Sequence, residues 1–260
     1  MEGSVTMKDL HVGNALTNTK HNGWFVGSFM PETDLRYTRD IAIIYSSLAA
    51  GTAQKMTPPN YATTFLLVTT GKLYNKCLFP DGSRATITCH ANEYALLMPG
   101  SQHAWEVEES CHMLCIQWPS IPEIRAPRMP SAEPWYGTWR VQEDRIRRDP
   151  WLLAHFMPPG DLRRVKEVDV DYGLFSRGDL RRHWLSPKLT ALMILVRGNV
   201  AMQFIENETV EKVFLTHPGD YILSRPEELQ QNNWQIKQDT VILTILWPSL
   251  PQQVSLPKKK

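Results

Sequence analysis

Phe29-Met30-Pro31-Glu32-Thr33-Asp34-Leu35-Arg36 comes back 127 positions later as Phe156-Met157-Pro158-Pro159-Gly160-Asp161-Leu162-Arg163. The same offset aligns Tyr45 with Tyr172, Gly51 with Gly178, Gly71 with Gly198, His90 with His217, Glu93-Tyr94 with Asp220-Tyr221 and Pro99 with Pro226. A two-residue insertion then moves the offset to 129, where Trp105 meets Trp234 and Trp118-Pro119-Ser120 meets Trp247-Pro248-Ser249. Chance does not hold register over roughly ninety residues with one small gap, and the unit is too long for a solenoid repeat. The chain is a tandem duplication of one domain-sized unit.

Each unit has a strand pattern. Residues 62–70 are β-branched and end at Gly71; 85–88 lead into 93–98, which Pro99-Gly100 stops; 113–118 stop at Pro119. The second copy repeats this at 192–196, 210–216, 221–224 and 240–247. Short β-branched runs at such spacing predict an all-β, antiparallel sandwich or barrel in each half. The expected division is a first domain over 1–120, a linker over 121–153 and a second domain over 154–260. Helix-like spacing appears over 142–153. The linker aromatics Trp135, Tyr136, Trp139 and Trp151 are costly to leave in water, so the linker should pack on a barrel. Residues 7–18 are expected to add an edge strand to the neighbouring barrel and so cover a sheet edge.

Composition excludes several classes. Lys and Arg number 28 against 27 Asp and Glu, a net charge of +1 that argues against a nucleic-acid clamp. Apolar residues at 42 % and charged residues at 21 % fit an ordinary globular chain. The longest aliphatic run, 191–196, is far short of the roughly 18–20 residues of a membrane span. The opening residues show no basic-then-apolar leader, and a cytoplasmic location is expected. The four cysteines, Cys77, Cys89, Cys111 and Cys115, form no Cys-x-x-Cys pair and read as buried free thiols.

Gly23-Trp24-Phe25-Val26-Gly27, Thr63-Thr64-Phe65 with Gly71-Lys72, Asn92-Glu93-Tyr94, the Pro99–Trp105 run and the closing Trp-Pro-Ser resemble the cupin superfamily, and more narrowly small bacterial single-cupin proteins. The likeness covers roughly 23–120 and 152–251. It implies two jelly-roll-like barrels, a bicupin, with intramolecular pairing of the barrels in place of the dimer common among single-domain relatives; a further homodimer stays open. It also implies a metal held by two His, a Glu and a third His. Laid onto the first copy, those positions fall on Thr57, Pro59, Thr64 and His103; in the second they fall on Trp184, Ser186, Ala191 and Asn232. One ligand in four is too few for a tight site, so no metal and no other cofactor is expected. His183, next to Trp184, is expected to face the opposite way unless a register slip turns it. His90, His112 and His217 read as strand-end or surface histidines.

A barrel without its metal keeps a concave interior. With Thr64 taken as inward, alternation also turns Ala62, Leu66, Val68 and Thr70 inward; Trp105 follows His103, and Tyr94, Leu96 and Met98 complete the first cavity. In the second copy Trp184, Met193, Leu195, Arg197, Arg225, Asn232 and Trp234 are expected to face in. The expected substrate-binding residues are Thr57, Thr64, Leu66, Val68, Met98, Trp105, Trp184, Arg197, Asn232 and Trp234. The leading functional expectation is a metal-independent enzyme, a lyase, isomerase or cyclase of small-molecule metabolism. His103 serves as general acid/base beside Tyr61 or Tyr74, since an unperturbed imidazole takes and gives a proton near neutral pH. The alternative is a non-catalytic sensor or carrier of a small apolar metabolite. A third is a metal-dependent dioxygenase or isomerase with rearranged ligands. The expected partner is a small molecule, neither nucleic acid nor membrane.

Overall fold

A computed structural model describes residues 9–17, 20–120, 134–141, 151–206, 209–226 and 230–249, except the side chains of 20, 21, 184 and 206. Among these residues there are sixteen strands and no α-helix. The strands, numbered in chain order, fall into two sheets of eight. β1 (Leu10–Asn14) precedes the first barrel, which comprises β2 (Trp24–Val26), β3 (Ala42–Leu48), β4 (Ala53–Gln54), β5 (Thr63–Leu78), β6 (Arg84–His90), β7 (Glu93–Leu97), β8 (Gln102–Trp118) and β9 (Tyr136–Arg140). The second barrel comprises β10 (Trp151–Leu153), β11 (Asp169–Phe175), β12 (Leu180–Leu185), β13 (Thr190–Glu206), β14 (Thr209–Leu215), β15 (Asp220–Ser224), β16 (Gln230–Trp247) and β1.

Pairing is antiparallel throughout and duplicated strand for strand. The first barrel runs β2-β3-β8-β5-β7-β9, with β4 on β8 and β6 on β5; the second runs β10-β11-β16-β13-β15-β1, with β12 on β16 and β14 on β13. The outer strands are exchanged along the chain. β9, which precedes the second barrel in sequence, pairs with β7 of the first; β1, which precedes the first, pairs with β15 of the second. The registers correspond: Glu93 faces Arg140 as Asp220 faces Asn14, and Leu97 faces Tyr136 as Ser224 faces Leu10. Side chains fix them, with Arg140 Nε donating to Glu93 Oε1 at 2.6 Å and Asn14 Nδ2 donating to Asp220 Oδ1 at 2.8 Å.

The domain limits therefore differ from 1–120 and 154–260. Leu10–Asn14 belongs with the second compact unit and Tyr136–Arg140 with the first, because each satisfies the open backbone edge of that barrel. Residues 142–150 of the expected helix lie outside the described residues. Its last turn is instead β10, whose Leu152 and Leu153 are fully buried.

The longest strands bend at one point. β5 has a register shift between Val68 and Leu73, centred on Gly71, and β13 has its equivalent around Gly198. Gly71 has φ +77° and Gly198 +108°, and a Cβ would come to 2.2 Å from the Ser110 carbonyl oxygen and 2.3 Å from Thr240 Oγ1. Only glycine fits there. The expected strand end at Gly71 is thus a bulge within a strand of 16 residues. The bulge reverses alternation: Thr64, Leu66 and Val68 face inward before it, and Leu73, Asn75 and Cys77 after it. Their cross-strand partners show this, Leu66 and Val68 pairing with Cys115 and Met113, Leu73 and Cys77 with Val107 and His103. Leu66, Val68, Leu73, Cys77, Val107, Met113 and Cys115 belong to one buried core, and Met193, Leu195, Val200, Met202 and Phe204 repeat the arrangement in the second barrel.

Candidate functional site: the interior of the first barrel

His103 and Trp105 alternate inward along β8, opposite Cys77 and Asn75. Both are half-buried, and Trp105 packs against the core cluster. The segment before β5 is tied to them: the His103 amide donates to Thr57 Oγ1 at 3.2 Å, and the Thr57 amide to the His103 carbonyl at 3.0 Å. Burial lowers the His103 pKa below the ordinary imidazole value, so the ring is neutral at pH 7. Among the described residues neither its ring nitrogens nor the Trp105 indole N–H has a hydrogen-bond partner, and Asn75 Oδ1 is buried and unpartnered. A cavity of about 510 Å³, lined by Met56, Lys76, Cys77, Leu78, Arg84 and Thr86 among others, opens at the end of the β5–β6 hairpin. Of its lining residues, Cys77 faces inward and pairs with His103.

At the other end of the inner wall, Thr64 Oγ1 accepts from Asn60 Nδ2 at 3.0 Å and Gln117 Nε2 at 3.4 Å. Leu66 and Val68 form the apolar belt between the two polar ends. All four cysteines pack in this barrel as free thiols. Burial pushes Cys77 up to about 11 and Cys89 and Cys115 up to about 12, which leaves them as packing groups rather than nucleophiles.

The structure places several expected residues elsewhere. Tyr74 follows the Gly71 bulge, so it faces outward, away from His103, with Lys72 Nζ 5.0 Å from its ring centre and Glu108 bonded to Lys72. Tyr61 is half-buried, and its hydroxyl meets no hydrogen-bond partner among the described residues. Tyr74 therefore does not pair with His103. On β7 the inward residues are Ala95 and Leu97, not Tyr94, Leu96 and Met98. Met98 is held by its amide to the Trp135 carbonyl at 2.9 Å, and Tyr94 stacks outward on Trp139 at 5.4 Å. Thr70 lies in the bulge and is exposed. Arg197 sits in the corresponding bulge of β13 and is exposed rather than inward. The Trp184 side chain lies outside the described residues. Asn232 and Trp234 do face inward, and so does His183, which pairs directly with Asn232. Counting from the family motif put His183 on the wrong face; its register against β16 is the signal that was missing. His90 and His217 are exposed at strand ends, beside Glu93 and Asp220, while His112 is half-buried with a lowered pKa.

The two interiors have diverged in bulk. Cys77 and Asn75 of the first barrel correspond to Phe204 and Met202 of the second, both fully buried. Trp234 and Asn232 are 5 % and 1 % exposed, whereas Trp105 and His103 are only half-buried.

No protein-family model matches the chain, and no curated protein does. Solved structures do. Oxalate decarboxylase of Bacillus subtilis, in a study of its Mn(II) centres, superposes with a TM-score of 0.60 at 12 % identity, over 84 % of this chain and 72 % of that one. The formate complex of Lactobacillus farciminis oxalate decarboxylase gives 0.60 at 11 %, over 84 % and 80 %. The chain has the bicupin fold. Its residues do not fit a metal of the family type in either barrel. In the first, Thr64 and Thr57 hydroxyls are engaged as described, Pro59 is exposed, and His103 is a single imidazole; in the second, Ala191 and Asn232 replace ionisable ligands. Among the described residues no three His, Cys, Asp or Glu side chains converge.

Proposed function

We propose that this bicupin takes up a small, largely apolar organic molecule in its first barrel, without a metal of the family type, and holds it unchanged. The reading rests on the cavity of about 510 Å³ that shares Cys77 with the wall bearing His103, Trp105 and Asn75. That size suits a small ligand. Met56, Cys77 and Leu78 offer apolar contact, and the open hydrogen-bonding atoms of His103 and Trp105 fix one polar group. Lys76 and Arg84, both exposed, also line the cavity. Recognition is favoured over chemistry because Tyr74 faces away from His103 and, among the described residues, no side chain hydrogen-bonds the His103 ring.

A second reading is supported by the neutral, unpartnered imidazole itself. His103 alone could take a proton from a bound substrate, as a lyase or isomerase base. One experiment separates the two. The full chain is purified with and without EDTA, and organic molecules carried through are identified by native mass spectrometry and reincubated with fresh protein. Recovery unchanged supports binding; conversion that persists in EDTA and disappears in His103→Ala supports the enzyme. Cys77→Phe installs the side chain that the second copy has at this register, and should abolish uptake while the protein still melts cooperatively. Uptake undiminished in Cys77→Phe, or a stoichiometric transition metal by elemental analysis, would overturn the proposal.

A further inference from the structure

The closing end of the second barrel is tied by side chains that titrate, and the same end of the first is not. Ser249, just beyond β16, places its Oγ 2.5 Å from Asp169 Oδ1 at the start of β11 and 2.7 Å from His155 Nδ1 in the loop after β10. Nδ1 is itself 3.8 Å from Oδ1. Asp169 and Ser249 are 1 % and 8 % exposed, and the His155 side chain 17 %. The Ser249 amide donates to the Lys166 carbonyl at 3.2 Å. The offsets of the repeat bring Ser120, Ser28 and Ala42 to the same places in the first barrel. There Ser120 Oγ accepts the Ser28 amide at 2.8 Å and donates to the Ser28 hydroxyl at 3.1 Å, and the Ser120 amide donates to the Arg39 carbonyl at 3.1 Å. The backbone staple is the same, but Ser28 and Ala42 cannot ionise.

A hydroxyl carries one proton and donates to one of its two neighbours, so the other contact needs a proton from His155 Nδ1 or the Asp169 carboxyl. With Asp169 ionised and His155 neutral, Nδ1–H donates to Oγ and Oγ–H to Oδ1. Every contact is then made, but a net negative charge is left in a buried place. One more proton, on the imidazole or the carboxyl, makes the cluster neutral as a whole. A buried uncompensated charge is costly, so the closed cluster keeps that proton to higher pH than the same side chains do in water. The proton belongs to the cluster rather than to either residue. Burial acts in the same direction on Asp169, raising its pKa. Around the cluster, Arg163 is bonded to Asp161 at 2.7 Å, Arg164 Nε donates to the His155 carbonyl at 3.1 Å, and Glu167 accepts the Lys166 amide at 2.9 Å. Arg164, Lys166 and Glu167 are exposed, so water screens them. Asp171, two residues along β11 on the same face, is a second carboxylate; β10, β13 and β16 bring Trp151, Thr190, Ala191, Leu246 and Trp247, which do not titrate.

We infer that His155, Ser249 and Asp169 form a proton-held clasp on the closing end of the second barrel, shut while the cluster keeps its extra proton and loosened as rising pH removes it. The Ser120–Ser28 staple of the first barrel has no such proton to lose. One chain thus carries the same closure twice, once indifferent to pH and once governed by it. The sign follows from proton counts. In the opened segment the carboxyl is ionised above about 3.9 and the imidazole is neutral above about 6.5. Between those values the closed and opened forms hold the same extra proton, and closure does not change with pH. Above about 6.5 the closed form holds one more, so its advantage falls about tenfold per pH unit until the cluster itself has titrated. The clasp is separate from the ligand site proposed in the first barrel and stands or falls independently of it.

The test is peptide-resolved hydrogen exchange of the full chain from pH 6 to pH 9, corrected for the intrinsic pH dependence of amide exchange. Peptides over 152–157, 167–171 and 243–249 should lose at least about tenfold in protection across this range. The corresponding first-barrel peptides, over 25–30, 40–44 and 114–120, should not. The double variant His155→Ser, Asp169→Ala installs the residues that the first copy carries at these places, and should remove the difference between the barrels. If it fails to fold, Asp169→Asn carries the same expectation, since it keeps a hydrogen-bonding group that cannot ionise. A pH response equal in the two barrels, or a difference that survives these substitutions, would overturn the inference.

Discussion

Leu10 is the sharpest place to perturb this protein, because its effect should appear more than two hundred residues away. It is 7 % exposed and belongs to the core cluster of the second barrel with Met193 and Ile222. Its strand β1 covers β15 over five register pairs, Leu10 to Ser224 through Asn14 to Asp220. Leu→Ala in a core costs about 2–5 kcal/mol, and an edge strand belongs at the lower end, about 2–3 kcal/mol. At 1.36 kcal/mol per tenfold, that is about 30- to 150-fold in amide protection. The assay is native-state hydrogen exchange read by peptide. In Leu10→Ala, peptides over 220–224 and 191–195 should lose protection by that factor, whereas 93–97 and 64–68 should not. The mirror experiment is Trp139→Ala, which removes the ring stacked 5.4 Å from Tyr94 and should loosen 93–97 alone. Protection lost first in the first barrel of Leu10→Ala, or unchanged everywhere, would refute the exchanged-edge topology.

Three other expectations follow from the same geometry. Gly71→Ala forces a positive φ on an L residue and drives its Cβ to 2.2 Å from a backbone oxygen, so denaturant unfolding should show a loss of at least about 2 kcal/mol, and Gly198→Ala should behave alike. Burial lowers the pKa of His103 and His183, so the unfolded chain takes up protons first as pH falls. The stability from their neutral forms is complete above the unfolded pKa of about 6.5 and declines as pH drops through it. Melting temperature against pH should show this fall before the carboxylates titrate, and His183→Phe should flatten part of it. Asp169 behaves oppositely: burial raises its pKa despite bonds to Ser249 and His155, and Oδ2 is unpartnered. Its protonated form is the one the fold prefers, so stability is lost as pH rises through the folded pKa. Asp169→Asn should raise the melting temperature at pH 7, with the gain closing in acid; a lower melting temperature at neutral pH would show that the ionised carboxylate's bonds outweigh its desolvation.

The sequence alone determined that one unit was doubled, that each copy is an antiparallel β-barrel, and that most positions to which the cupin resemblance assigns metal ligands hold other residue types. Those are properties of residue identity at fixed spacing: Phe-Met-Pro…Asp-Leu-Arg and Trp-Pro-Ser recur in register, and Thr64 or Asn232 cannot do the work of Glu or His. It also assigned Thr64, Leu66, Val68, His103 and Trp105 to one interior, since a strand alternates strictly until something interrupts it. What interrupts it was beyond sequence reasoning. Gly71 reads equally well as a strand end or a bulge, and the choice decides whether Tyr74 meets His103 or water. The same holds for Met98 and Arg197, and for His183, which counting along the chain turned outward and pairing with β16 turns in. Which barrel Leu10–Asn14 completes, and that Asn232 is left with an unused donor once Trp234 takes its oxygen, depend on contacts between segments far apart in the chain. Periodicity describes a strand's own two faces; only the partner strand's register says which of them is the inside.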